Sequence, residues 1–191
     1  MHFTALHDLR TGTKQLHEAI ESVPILQELA SGQITPQRYK RVLSAFIGFW
    51  GPVEHGLAQQ SLPIDWKARV PNLRNDLQAL GCSPEEIKTI AECPFIPQPV
   101  DIEGGLGVLY VLNGSRLGGA VIHKALRAKG SIPDDCMSYF AAPSETLSSD
   151  WKIFTKGIEL SIQTEAGVRS ASASARETFL ALMTWILLCQ S

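Results

Sequence analysis

Residues 108–122, VLYVLNGSRLGGAVI, place the strongest constraint on what this chain can become. Both ends of the stretch are apolar and helical in pattern, yet it carries Gly114, Gly118 and Gly119. A glycine in a helix interior costs roughly 1 kcal/mol relative to alanine, so the three together cost about 3 kcal/mol. That is a large share of a typical domain's stability. The helical pattern runs from 101 to 129 and ends at Lys129-Gly130, about 40 Å if continuous. Gly104, Gly107, Gly114 and Gly118 fall on one face of it, which leaves bare backbone along that side. Three uses of such a face compete. Small residues let a second helix approach closely. A phosphate cradle fails on pattern, because there is no GxxxxGK[ST] and no strand before the glycines. A flat or large ligand can lie directly on the backbone, with the glycines also letting the helix bend. The polar Asn113-Gly114-Ser115-Arg116 inside an apolar run fits the ligand better than simple packing.

The rest of the chain is helical as well. Residues 5–22 place Leu6, Leu9, Thr13, Leu16, His17 and Ile20 on one stripe, and Pro24 discourages continuation. Ser31-Gly32 is a break. Thr35-Pro36 reads as an N-cap followed by proline at the first helical position, opening a helix to about Leu57 or Gln60. Tyr39, Val42, Phe46, Phe49 and Val53 point inward on it, and Pro52 predicts a kink. LRNDLQALG is a short helix closed by Gly81, and Ser83-Pro84-Glu85-Glu86 starts another. CPFIPQPV, with three prolines, is a linker. Ser144–Gly157 and onward, and Glu165–Leu188, complete the set. Strands and repeats are missing from the pattern, which predicts one all-α domain over residues 1–191 with about seven or eight helices.

Composition narrows the function. A net charge of −2 argues against a dedicated nucleic-acid binder. Cys82, Cys93, Cys136 and Cys189 have no CxxC spacing, so neither a zinc site nor a disulfide framework is expected, and a reducing cytoplasm is the plain expectation. The N-terminus has no apolar core of signal-peptide type. LGVLYVL and FLALMTWILL are too short to span a bilayer, so no membrane insertion is expected.

Among the histidines, His17 stands out. It lies on the apolar stripe of the first helix, and Glu21 is one turn on along the same face. A carboxylate there can engage one ring nitrogen, directly or through water, and leave the other for a metal. A lone histidine on an apolar stripe is more often a satisfied, partly buried imidazole. Arg10 and Lys14 extend the face as a cationic rim. His2, His7, His55 and His123 have no such setting and read as surface or structural. A di-iron carboxylate bundle needs Glu-x-x-His pairs, and the chain has none. A Ser–His–Asp hydrolase needs a GxSxG turn in an α/β pattern, which is also missing.

LRTGTKQLHEAIES resembles the first helix of haem oxygenases, and SGQITPQRYKRVLSAFIGFWGPVEHGL resembles the segments that follow it in that family. VLYVLNGSRLGGAVI is similar to the family's glycine-rich distal helix, in the form of the bacterial branch often associated with phytochromes. DWKIFTKGIEL resembles the propionate-binding segment, and ARETFLALMTWI resembles the last core helix. Together these cover most of the chain in the family's order. The resemblance implies a haem-oxygenase-like fold, with haem between the first helix and a kinked glycine-rich helix. It aligns His17 with the proximal iron ligand and Glu21 with its acidic neighbour. Gly114, Gly118 and Gly119 align with the distal glycines, Arg10, Lys152 and Lys156 with basic residues near the propionates, and Phe179 with a pocket aromatic. Read from the residues alone, Lys152 and Lys156 are one turn apart and can reach one edge together, although a solvated helix face explains them at least as well. The implied activity uses haem (iron protoporphyrin IX) as cofactor and substrate. It consumes O2 and electrons from a reductase or ferredoxin, and yields biliverdin, CO and iron, with a phytochrome as a receiver of the biliverdin.

Two departures from the family pattern matter. Ser115 occupies the position where many haem oxygenases have an aspartate that holds water near O2; a hydroxyl can orient water but carries no charge. Leu109 stands where animal enzymes often have a propionate-contacting tyrosine, and the adjacent Tyr110 points about 100° away around the helix. Ser115 keeps open a haem-binding or haem-sensing protein without turnover. A third reading is a related helical fold acting on another small molecule. Cys93-Pro94 resembles a Cys-Pro motif linked to haem regulation, but two residues carry little weight.

Overall fold

In a computed structural model, which describes residues 4–141 and 144–190, the described residues form eight α-helices and a short 3₁₀ turn, with no strand. The helices are α1 (Ala5–Glu21), α2 (Pro24–Ser31), α3 (Pro36–Ala58), α4 (Val70–Ala79), α5 (Pro84–Lys88), α6 (Ile102–Lys129), α7 (Ser144–Ser161) and α8 (Glu165–Leu188). Their starts follow local chemistry. The hydroxyls of Thr35, Ser83 and Thr164 and the carboxylate of Asp101 each accept a backbone N–H of the first turn. Ser83 and Glu86 complete a reciprocal capping box.

Pro24 does more than stop α1. It takes the first position of α2, a helix that the break-only reading of this segment leaves out. That helix closes at Gly32, whose φ of 70° lies in the left-handed region. A Cβ at Gly32 would also stand 2.5 Å from the Ala125 carbonyl oxygen, so this corner packs against the end of α6.

The core is built on α3, where Tyr39, Val42, Phe46, Phe49, Trp50 and Val53 are all buried. Pro52 has no N–H to give the Gly48 carbonyl one turn earlier. The Cys93 N–H bonds that carbonyl instead, at 2.9 Å. The Cys93-Pro94 pair thus serves the core: Cys93 is buried, and burial pushes its thiol up. His2 lies outside the described residues; His7 and His55 are exposed, and His123 is half-buried.

Helix α8 carries the two long elements of the site. Both α1 and α6 pack along it, and they barely touch each other. The glycine face of α6 is divided as a result. In its first half, a Cβ on Gly104 would stand 2.9 Å from Ser174 Oγ, and one on Gly107 would overlap the Ala171 carbonyl. Close helix packing accounts for these two glycines. Taken whole, α6 is the one described helix long and apolar enough to cross a membrane, where its separate apolar runs fall short. Half of that apolar stretch is buried in the molecule.

Candidate functional site

The second half of the glycine face meets no helix. A Cβ on Gly118 would find nothing within 4 Å, and one on Gly114 would find only Trp151, at 3.7 Å. Gly119 is backed by Phe140 at 3.6 Å. All three keep helical backbone, with no positive φ, and α6 runs through them without interruption. Their use is bareness rather than unusual dihedrals. The space they leave is a cavity of about 1080 Å³ between α1 and α6, at the upper end of small-molecule sites.

α1 supplies the opposite wall. Leu9, Thr13 and Ile20 anchor it to the core, and His17 faces the cavity. The Phe179 ring of α8 meets the imidazole edge-to-face at 5.6 Å between centroids. Glu21 Oε1 lies 3.5 Å from His17 Nδ1, which is an electrostatic contact long enough for water to strengthen it. With Nδ1 turned to Glu21, Nε2 is left for a ligand. The two side chains are 55% and 65% exposed, so neither is committed to the core. Thus Arg10, His17, Glu21, Gly114, Ser115, Gly118, Gly119 and Phe179 all line one cavity.

Lys152 and Lys156 do not line it. They are exposed on α7, because Trp151, Phe154 and Ile158 take that helix's inward face and turn the lysines outward. Arg10 and Lys14 of α1 do line the cavity, as its cationic rim. Tyr110, about 100° around the helix from Leu109, belongs to the site. It lines the cavity, because it sits one turn before Gly114 on the same stripe, while Leu109 is fully buried. Burial pushes the Tyr110 phenol up, opposed by the charge and hydrogen bond of Arg10 and by Thr13.

Arg69 is a participant that no sequence pattern marks. It caps the start of α4, far along the chain from α6. Its Nη1 donates to Ser115 Oγ at 3.2 Å, and Ser115 donates its own proton to the Leu112 carbonyl at 2.7 Å. The guanidinium lies over the Tyr139 ring, 4.2 Å from its centroid, and donates to the Tyr139 carbonyl. Buried Glu54 holds the backbone beneath, accepting the Arg69 and Val70 N–H groups at 2.7 and 3.1 Å. Burial raises the Glu54 carboxyl above its usual range, and these two bonds oppose the shift. Asp76 anchors the facing segment in the same way, accepting the Ser138 hydroxyl at 2.6 Å and the Tyr139 N–H at 2.8 Å.

Among the described residues no group of three or more His, Cys, Asp or Glu could hold a metal ion. A single imidazole on the wall of an apolar slot suits a metal that brings its other donors with it. A flat macrocycle with anionic edge groups fits the rest: bare backbone on one face, the imidazole on the other, and a basic rim. A family model described as heme oxygenase matches residues 3–187. The chain belongs to the heme oxygenase family. A heme oxygenase of Xanthomonas campestris pv. campestris (strain 8004) is 29% identical over 161 residues, which is 81% of this chain and 92% of that protein. The heme oxygenase of Leptospira interrogans superposes with a TM-score of 0.79 at 19% identity, covering 96% of this chain and 98% of its own. Heme oxygenase-1 of Synechocystis sp. PCC 6803, solved in complex with heme, gives 0.80 at 14% identity, covering 97% and 92%. These structures share the heme oxygenase fold with this chain, across nearly its whole length.

Proposed function

We propose that this chain binds haem between α1 and α6 and opens its ring to biliverdin, CO and iron, using O2 and external electrons. The finer parts of the reading are a reductase or ferredoxin as electron source, a phytochrome as a receiver of biliverdin, and a cytoplasmic setting. The observation that carries it is His17 and the bare Gly114–Gly118 backbone lining one cavity from two helices that scarcely touch. When bound, haem supplies both the iron that activates O2 and the ring carbon that is oxidised.

The residues divide the work. His17 Nε2 would hold the iron, and Glu21, 3.5 Å from Nδ1, would strengthen the imidazole as a donor. Arg10 and Lys14 meet the propionates at the rim. Gly118 keeps the opposite wall free of side chains, so the helix backbone itself would face a bound ring. Ser115 Oγ has its proton committed to Leu112, so what it offers the cavity is an acceptor that can hold a water.

The test is an absorption time course of the purified protein with haemin, then with a reductant in air. A sharp haem band that gives way to a biliverdin spectrum, and is disturbed in His17→Ala, supports the reading. A stable band without ring opening, even with a competent reductase, identifies a haem-binding protein without turnover. No haem band in the wild-type protein refutes the reading altogether.

A further inference from the structure

We infer that Arg69 is a positioning residue of the distal wall: through Ser115 it sets a fixed positive charge behind the face where many haem oxygenases carry an aspartate. The inference rests on the proposed haem-binding function.

The geometry argues against a casual surface contact. The Arg69 side chain is held at Ser115 Oγ, at the Tyr139 carbonyl and over the Tyr139 ring. Its backbone is pinned separately by Glu54. Among the described residues the Arg69 guanidinium makes no ion pair within 4.0 Å, whereas Arg38, Arg116, Arg127 and Arg169 each have a carboxylate partner. Glu54, whose charge acts on this region, spends both oxygens on backbone N–H groups. A guanidinium stays protonated at any working pH. A cation without a direct carboxylate contact is therefore built into the distal side, with Glu54 acting on it only through space, and Ser115 and Tyr139 connect it to the cavity they line.

Chemistry gives the cation a task. Ser115 donates to Leu112 and so presents only a lone pair to the cavity. A lone pair alone would oppose the negative charge that gathers on a diatomic ligand as electrons are supplied. Arg69 donates into the same oxygen and offsets that opposition. The pair can then hold a water by accepting one of its protons, leaving the other free to point at the ligand. The usual carboxylate does this by accepting; here a hydroxyl accepts and an arginine supplies the field.

The experiment is infrared spectroscopy of the reduced haem–CO complex, because a positive charge near CO draws iron electrons into its antibonding orbital and lowers the C–O stretch. Wild type, Arg69→Gln and Arg69→Lys are compared, with circular dichroism and the haem band as controls. The expected result is a shift to higher wavenumber in Arg69→Gln, and a stretch close to wild type in Arg69→Lys, which keeps the charge but loses the fork. An unmoved stretch in a haem-loaded Arg69→Gln makes the residue a mere strut and overturns the inference. If Arg69→Gln does not fold, Arg69→Lys decides: a stretch raised well above wild type overturns the inference. Failure of the wild type to bind haem is a different result, since it refutes the proposed function and this inference with it.

Discussion

Gly107 and Gly118 lie on the same face of the same helix and should respond to the same substitution with opposite signs. Replacing either by alanine gains about 0.5–1 kcal/mol of helix propensity. At Gly118 the new methyl meets nothing within 4 Å, so the whole gain is kept. For a chain of this size that is an increase of roughly 2–4 °C in Tm per kcal/mol. At Gly107 the methyl overlaps the Ala171 carbonyl, a backbone atom that cannot swing aside. Overpacking of that kind costs about 1–3 kcal/mol and exceeds the propensity gain. Thermal unfolding of the haem-free variants by circular dichroism should therefore place Gly118→Ala above wild type and Gly107→Ala below it. Gly118→Leu should hold the wild-type Tm or better, and yet lose the haem band, because its side chain fills the slot. Two results would refute this reasoning: haemin affinity unchanged in Gly118→Leu, or a haem-free Gly118→Ala less stable than Gly107→Ala.

Three other expectations follow from single contacts. Asp101→Ala removes the carboxylate that accepts the Gly104 N–H at 2.7 Å and the Ser170 hydroxyl at 2.6 Å, and should cost about 1–2 kcal/mol in urea unfolding. Arg10→Gln should weaken haemin binding and reduce its salt dependence without changing the shape of the haem band, because the rim is remote from the iron ligand; a changed band shape would place Arg10 elsewhere. Burial raises the native carboxyls of Glu54 and Asp76 above the unfolded values of about 4. Between those values and the raised native ones, the native state holds more protons than the unfolded chain. Their contribution is thus fully present below about pH 4 and is lost as pH rises through the native values. Urea titrations across that window should show this slope in wild type and a shallower one in Glu54→Gln.

The sequence made the helices legible where caps and periodicity agree. Thr35 and Ser83 read as caps and sit where their helices begin, and Gly130 sits where α6 ends, because those are local bonds. α2 was hidden because proline reads equally as a stop and as a first helical residue, and only the packing of Gly32 on α6 distinguishes them. His17, Glu21, Phe179 and the cavity glycines were visible because helical spacing places them on faces, and the family resemblance added their roles. Spacing puts Lys152 and Lys156 on one face but does not fix how α7 is rotated; Trp151 and Phe154 take its inward side and leave the lysines exposed. Arg69 had no signal at all: its contact with Ser115 spans 46 residues and depends on how Glu54 folds the α3–α4 connection back on itself.

The contact of Gly107 with Ala171 also has a mechanical meaning. Locked to α8 at that crossing and facing a cavity further along, α6 is one jaw of a pair of forceps, with α1 as the jaw opposite and the tight crossing as the rivet that fixes α6 to α8. The rivet is rigid whether or not anything is held, while the cavity-facing side of the tips gains a brace only from what they grip. Amide exchange in the haem-free protein should accordingly be slowest around Gly104–Leu109 and fastest toward Gly118–Ile122. Loading should slow exchange at the tips and leave the rivet unchanged.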